Sequence, residues 1–287
     1  MAYRLLALAI ILFLLQACTP RQMVLRMASP LFEGQAAALN EEPDPKLAES
    51  AIPASLKMLE GLVKADPENA SYHRKLAEGF CGYAFSFIEG KDNRRASNLY
   101  LRGRDHAVRS LVLSGAPENL TQLPPDEFKA ALQGLDREQL SGLFWTGQCW
   151  GAWLMFNLTD MEALVAFPKV EAAMRQVLEW DETYYHAGPH LFFGGFYGAR
   201  SPMLGGRPEQ ARQHFERALE LTERKYLIIQ VMYAKTLAVQ TQDKELFTKL
   251  LNEVVEAPEG APPDQRLANE VARLKAKQLL EDVDVLF

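Results

Sequence analysis

The feature that most constrains this chain is an apolar periodicity of three and four residues that recurs from Lys46 to Glu281. Within residues 46–65 the apolar side chains fall on one helical face: Ile52, Leu56, Leu59, Leu62 and Val63. That spacing is typical of an amphipathic helix, and Asp66-Pro67 ends it. No strand-length run alternates apolar and polar residues, so a sheet is not expected. The chain is therefore predicted to be all-α.

Further helices are predicted in a long series, with short turns between them. Their expected ranges are 70–88, 94–113, 124–133, 137–157, 160–179, 184–197, 208–222, 225–240, 243–256 and 263–281. Helices paired through short turns form hairpins, and each hairpin leaves an apolar face for its neighbour. We therefore expect a tetratricopeptide-like stack of antiparallel helical hairpins, an α-solenoid with three or four degenerate repeats.

Small and aromatic residues at the spacing of the tetratricopeptide repeat support this fold. The most specific segment is GGRPEQARQHFERALEL, in which small residues permit close helix approach and Phe215 is expected to fill the gap between hairpins. The structural positions that match the repeat are Leu76, Phe80, Ala96, Tyr100, Gly194, Ala211, Phe215 and Ala218.

The N-terminus has the pattern of an export signal. Arg4 and the free amine precede the apolar run LLALAIILFLL, and LQAC follows directly. Leu15-Gln-Ala-Cys18 resembles a bacterial lipobox, which implies diacylation of Cys18 and cleavage before it. The alternative is an ordinary signal peptide in which Cys18 is incidental. We predict a lipoprotein signal peptide over 1–17, a lipidated tether and lead-in segment over 18–45, and a single all-helical domain over 46–287.

Composition excludes two classes of protein. The 287 residues carry a net charge of −6, so no electropositive surface for nucleic acid is expected. The apolar run Leu5–Leu15 is too short to span a bilayer as a helix, which argues against a polytopic membrane protein. Lipidation would instead anchor the chain. Because Thr19 and not Asp follows Cys18, the likeness to bacterial lipoproteins implies the periplasmic face of a Gram-negative outer membrane.

Cys81 and Cys149 both lie in strongly apolar helical stretches. Free cysteine is among the most buried residue types, whereas an oxidising periplasm permits a disulfide. Two unpaired core thiols are favoured over a bridge. The chain contains no CxxC or HExxH motif, and neither a metal nor another cofactor is expected.

Aromatic residues concentrate in two segments, 144–156 and 180–197. One interpretation is an apolar ligand cavity, in which a few polar groups orient the guest. The other is that these rings build the helix–helix core, as aromatic stripes at helical spacing usually do. The residues of the candidate cavity are Trp145, Trp150, Trp153, Tyr184, Tyr185, His186, His190, Phe193, Tyr197 and Arg200.

The histidines and cysteines offer little support for an enzyme. His186 and His190 would share one face of a helix, but Pro189 disturbs the turn and further metal ligands are lacking nearby. No GxSxG motif occurs, and the apolar surroundings of Cys149 disfavour its thiolate. No acid–base constellation is evident, and the prediction is a protein that is not an enzyme.

Taken together, the chain resembles the TatT proteins, tetratricopeptide lipoproteins of TRAP (tripartite ATP-independent periplasmic) transporters. The likeness is carried by LQAC, by LFWTGQCWGAW, by LEWDETYYHAGPHLFFGGFYGARSPMLGGRPEQARQHFERALEL and by the tail LANEVARLKAKQLLEDVDVLF. It implies an accessory component that docks the periplasmic substrate-binding protein (the P component) and passes it an apolar or organic-acid ligand. The sequence does not decide whether the protein forms a homo-oligomer. The alternative is a tetratricopeptide scaffold or adaptor lipoprotein for envelope or outer-membrane assembly, without a ligand of its own.

Overall fold

The computed structural model describes residues 34–258 and 260–287. The chain divides into two units, and the second, Asn40–Phe287, which we call the helical unit, holds all the helices discussed below. Cys18, the signal sequence and most of the tether lie outside the described residues. Within the described part, no helix combines the length and the apolar character that a membrane crossing would require.

Helices account for nearly all regular structure, and the described residues contain no strand. This confirms the prediction of an all-α helical-repeat fold. The helices are α1 (Pro45–Ala65), α2 (Ala70–Tyr83), α3 (Asn93–Val112), α4 (Pro125–Leu132), α5 (Leu140–Phe156), α6 (Met161–Trp180), α7 (Tyr184–Gly198), α8 (Pro208–Leu221), α9 (Ile228–Tyr233), α10 (Lys244–Glu256), α11 (Arg266–Glu281) and α12 (Val283–Leu286). Two π-helical turns, Ala84–Ile88 and Ala234–Ala238, continue α2 and α9.

Consecutive helices pack in pairs. The pairs in contact are α2 with α3, α5 with α6, α7 with α8, and α9 with α10. Neighbouring pairs adjoin one another through α3 with α5, α6 with α7, and α8 with α9, while α4 packs on α6. The last long helix, α11, contacts α1 as well as α9 and α10. The stack therefore returns toward its own beginning.

Short polar side chains and prolines fix where the helices begin. The side chain of Asn69 accepts hydrogen bonds from the backbone N–H groups of Ser71 and Tyr72, which would otherwise have no partner in the first turn of α2. The side chain of Asp92 likewise accepts a hydrogen bond from the Arg95 N–H at the start of α3. The side chain of Asp243 accepts one from the Leu246 N–H at the start of α10. Prolines at the first position open α1, α4 and α8, because their fixed φ suits a helix start.

The core consists of apolar side chains between successive helices. Phe215 of α8 is completely buried against Gly194 of α7, where an added Cβ would lie 2.7 Å from the phenyl ring. Phe215 also stacks on Tyr233, with ring centroids 4.6 Å apart. The other residues at the repeat positions are likewise buried: Leu76, Phe80, Ala96, Tyr100, Ala211 and Ala218.

Cys81 of α2 and Cys149 of α5 form a disulfide. The prediction of two unpaired thiols is therefore wrong. The bridge fits because Gly103 of α3 passes directly beside it: a Cβ there would clash with the Sγ of Cys81 and lie 2.9 Å from that of Cys149. The apolar pattern around each cysteine indicated burial but not that α2 and α5 are neighbours.

Candidate functional site

Side chains of four helices and two π-helical turns are connected by a series of contacts, and we call the surface that they form the inner face. It is defined by Glu78, Phe85 and Glu89 on α2 and its continuation, Trp145 on α5, Tyr185 on α7, Lys235 on the π-helical turn after α9, and Lys275 on α11. Three contacts join these elements across the chain. Tyr185 donates to Glu78 (3.1 Å), Lys235 pairs with Glu89 (3.1 Å), and the Lys275 Nζ lies 5.0 Å from the centre of the Phe85 ring.

At one end of the inner face an acid lies among aromatic rings. The Tyr185 ring meets Trp145 edge-on, with centroids 4.9 Å apart, and its hydroxyl donates to Glu78. Burial raises the pKa of the Glu78 carboxyl, although the Tyr185 hydrogen bond lowers it. Burial likewise raises the pKa of Tyr226, on which the Glu78 charge also acts. This end therefore favours a neutral or donor group over an additional anion.

The opposite end is rich in cations. Glu89 accepts hydrogen bonds from Tyr100 (2.5 Å) and Lys235, while Lys91 pairs with Glu49 (3.0 Å). Burial, together with the charges of Lys235 and Lys91, lowers the pKa of Lys275 to about 8 despite the attraction of Glu89. The two ends of the inner face therefore differ in charge.

The start of α7 has an unusual backbone. Tyr185, His186 and Ala187 have φ values of 50°, 58° and 58°, so three consecutive non-glycine residues adopt the left-handed conformation. Each such residue is strained by about 1–2 kcal/mol relative to a right-handed turn. The predicted common helical face of His186 and His190 is therefore wrong, because the regular helix begins only after this turn. Strain of this kind concentrates at functional sites.

A cavity of about 310 Å³ lies beside this turn. His186 stacks on Tyr226 with ring centroids 4.6 Å apart, and its Nδ1 lies 3.3 Å from Gln265 Nε2. The Oε1 of Gln265 is buried and has no hydrogen-bond partner within the described chain. The opposite rim contains a second left-handed pair, Glu223 and Arg224. The lining residues are Thr183, His186, Ala187, Leu221, Thr222, Glu223, Lys225 and Gln265.

The residues predicted for one aromatic cavity are distributed over three environments. Trp145, Tyr184 and Tyr185 contact Phe144 and one another near the inner face, where 38% of Tyr185 is exposed. His186 lines the cavity at the left-handed turn. The remaining residues are buried between helices or anchor loops: Trp150, Trp153, His190, Phe193, Tyr197 and Arg200.

Arg200 and Tyr197 have structural contacts. The guanidinium of Arg200 donates to the carbonyls of Phe196 (2.9 Å) and Leu204 (3.3 Å), which holds the loop between α7 and α8. The Tyr197 hydroxyl donates to Glu171 (2.8 Å), and burial followed by this hydrogen bond raises the pKa of Tyr197 to about 12. Neither residue contributes to the inner face.

His190 belongs to one of two buried histidine pairs. Its Nδ1 lies 2.9 Å from the Nδ1 of His214, and the Nδ1 atoms of His73 and His106 are also 2.9 Å apart. Burial, and then the charge of the partner histidine, lowers the pKa of both His106 and His214 to about 4. Each pair therefore stays neutral near pH 7. The described residues contain no group of three or more histidine, cysteine or acidic side chains arranged to bind a metal ion.

Sequence reasoning missed Glu78, Lys235 and Lys275. A signal for Lys275 was present, because Ala268, Ala272 and Leu279 lie on the same line of α11 at spacings of three and four, and a lysine interrupts that apolar line. Glu78 similarly follows directly after the buried pair Leu76-Ala77. What the sequence could not supply is the proximity of α11 to α2.

The fold is that of a helical-repeat protein, in which stacked hairpins present one face to a ligand or partner. The sequence profile of the TRAP transporter T-component family, TAtT, matches residues 41–287, which is most of the chain, and the protein belongs to that family. Among curated proteins, none matches this chain. Membership of the family supports an accessory role in TRAP transport.

Proposed function

We propose that this T component is a periplasmic lipoprotein that docks the substrate-binding P component of a TRAP transporter and passes it a ligand along the inner face. The proposal that the protein passes a ligand rests on the residues of the inner face. This face combines the buried ring of Trp145, the half-buried ring of Phe85 and the exposed ring of Tyr185 with a few charged groups, and aromatic side chains with a few polar groups are the usual make-up of a small-molecule site. Family membership supports the transporter partner.

Open space on the inner face favours a ligand over a filled core. A Cβ added at Gly82, which lies one turn from both Glu78 and Phe85 on α2, would meet no atom within 4 Å. Glu78 and Glu89 are eleven residues apart, so this side of the helix and its π-helical continuation is at most about 16 Å long at the α-helical rise of 1.5 Å per residue. That length suits a small organic acid or a short apolar chain.

We also propose that the protein is not an enzyme. The two cysteines of the helical unit are joined to each other, so neither thiol is available as a nucleophile. Four of the five histidines form the two neutral pairs, in which the Nδ1 atoms face each other. Passing a ligand requires affinity and release but no covalent chemistry.

The docking proposal is tested by calorimetry of residues 40–287 with a TRAP-transporter P component from the same organism. Delivery requires release, so a dissociation constant of ~1–100 μM is expected, equivalent to about −8 to −5.5 kcal/mol. A substrate-binding protein from an unrelated transporter is the control. Absence of heat with that P component at tens of micromolar would contradict docking. Docking without any titratable small molecule would instead favour the scaffold role.

The anchor is proposed at Cys18, with the mature protein on the periplasmic face of the outer membrane. Cys18→Ala is expected to abolish acylation and to leave the chain uncleaved or free of membranes, because acyl chains supply the membrane affinity. The measurement is detergent-free fractionation of the full chain with labelled palmitate. Retention of the variant in outer membranes would exclude this anchor.

A further inference from the structure

Lys275 is the cation of the inner face that has no acidic partner. Its side chain is half-buried, and its closest described interaction is with the Phe85 ring, 5.0 Å away. Among the residues that the structure describes, no hydrogen bond or ion pair involves its ammonium group. Removing a lysine from bulk water without pairing it is costly. A protein that keeps such a lysine on a half-open face has a place for an anion.

The charge balance around Lys275 points the same way. Three lysines interact electrostatically at this end of the inner face, namely Lys91, Lys235 and Lys275. Two acids are available to them: Glu49 pairs with Lys91, and Glu89, which also attracts Lys275, pairs with Lys235. Lys275 therefore leaves one positive charge in excess. One singly charged anion would neutralise it.

The surroundings of that anion would be apolar. Phe85 is half-buried, with its ring centre 5.0 Å from the ammonium group, and a Cβ added one turn earlier, at Gly82, would meet no atom within 4 Å. One turn before Gly82, Glu78 accepts a hydrogen bond from Tyr185, whose ring meets Trp145 edge-on. Burial of an apolar body along this wall contributes roughly 25 cal/mol for each Å² removed from water. The charged group and the apolar wall together select an amphipathic molecule.

We propose that Lys275 is the anchor for the carboxylate of an apolar-bodied monocarboxylic acid, whose body lies along Phe85 and Gly82 toward Trp145. This inference rests on the ligand-carrying role proposed above and names its substrate class. A carboxylate is favoured over a phosphate ester because the excess charge is a single one. A lone lysine also offers a point charge without the planar fork with which arginine holds phosphate.

The test is a fluorescence titration with cis-parinaric acid and its methyl ester, which share one apolar body. The wild-type helical unit is expected to bind the acid about tenfold more tightly than the ester, a difference of about 1.4 kcal/mol. Lys275→Met is expected to lose that preference while binding the ester as before. Lys275→Arg keeps the charge and should retain most of it. Lys277→Met, on the exposed side of α11, is the matched control.

Two further measurements distinguish a failure of the carboxylate anchor from a failure of the proposed transporter role. A Cβ at Gly82 would meet no atom within 4 Å, so Gly82→Leu should place its side chain in the open space and weaken the binding of acid and ester alike. Docking to the P component is measured in parallel and should be the same for Lys275→Met and wild type. Equal affinity of wild type for acid and ester, or an unchanged preference in Lys275→Met, would overturn the carboxylate anchor while leaving docking intact. Loss of docking in the wild type would overturn the transporter role itself.

Discussion

The hairpins α2/α3 and α7/α8 contain the same arrangement of histidines. In each, two Nδ1 atoms face each other at 2.9 Å, and the second histidine stacks on a buried phenylalanine, Phe80 or Phe193. In each, the first histidine turns its Nε2 to an oxygen, the Pro67 carbonyl or the Glu182 carboxylate. Since both oxygens only accept, the Nε2 carries the proton, and the second histidine donates between the rings.

The two hairpins differ in how they are held. Helix α2 begins regularly at Asn69 and is joined covalently to α5 by the Cys81–Cys149 bridge. Helix α7 begins with the left-handed turn at residues 185–187, and its Glu182 is held on the surface by Arg217 (2.6 Å). The first hairpin is therefore a rigid support, whereas the second stores backbone strain beside the cavity.

Removing the bridge should produce the largest difference between the two hairpins. The double variant Cys81→Ser/Cys149→Ser should lower the free energy of unfolding by about 4 kcal/mol, because the bridge closes a loop of 68 residues in the unfolded chain. Urea denaturation of the helical unit measures this. Reduction of the wild-type protein should give a similar loss. An unchanged midpoint after reduction would mean that the first hairpin does not depend on the covalent bond.

Glycine substitutions at two buried alanines should show how much the strained turn lowers stability, apart from the loss of a packed methyl group. Ala187 lies in the left-handed turn and Ala77 in the middle of α2, and both are fully buried. Each substitution removes one methyl group, but glycine relieves strain at 187 and weakens a regular helix at 77. Ala187→Gly should therefore be the more stable of the two variants by about 2 kcal/mol.

Thermal and urea unfolding measure this difference between the two glycine variants. If both substitutions lower stability equally, the turn at 185–187 is not strained. A gain in stability at 187 accompanied by weaker binding of cis-parinaric acid would further indicate that the strained turn shapes the ligand site.

Acid should affect both hairpins through their histidine pairs. His106 and His214 have a pKa of about 4 in the folded chain and about 6.5 when unfolded, so the unfolded state binds protons first. Stability should be fully present above pH 6.5 and fall as the pH drops toward 4. The slope is at most about 1.4 kcal/mol per pH unit for each extra proton bound.

Two single variants show how much each hairpin contributes to the pH dependence of the unfolding free energy. Asparagine can place a donor near the position of a histidine Nδ1–H but does not titrate, so His106→Asn and His214→Asn should each remove a similar part of the dependence between pH 6.5 and 5. Burial also lowers the pKa of His186, which lies outside the pairs, so His186→Asn measures the part of the acid dependence that does not come from the two hairpins. A slope that neither pair variant changes would assign the acid sensitivity to other groups.

The helices were predictable from the sequence because apolar spacing, N-cap residues and prolines act locally. The expected range 208–222 and the observed helix Pro208–Leu221 agree for this reason. The left-handed turn had no such signal, since three non-glycine residues in that conformation are imposed by their surroundings. Only Gly188 and Pro189 directly after it indicated an irregular start.

Features that join distant segments were not predictable. The Cys81–Cys149 bridge requires that α2 and α5 meet beside Gly103, and the histidine pairs require partners 33 and 24 residues apart. The inner face combines residues from Glu78 to Lys275, and it exists only because α11 returns to α1. Aromatic composition indicated Trp145 and Tyr185 but equally Trp150 and Trp153, which are buried away from it.

Hydrogen exchange of the helical unit with and without saturating cis-parinaric acid tests the central claim, that ligand occupies the inner face beside the strained turn. We expect slower amide exchange in residues 78–89, at the turn 185–187 and around Lys275, with exchange in α3 and α8 unchanged. Protection confined to α3 and α8, or exchange that the acid does not alter in any of these segments, would contradict this claim.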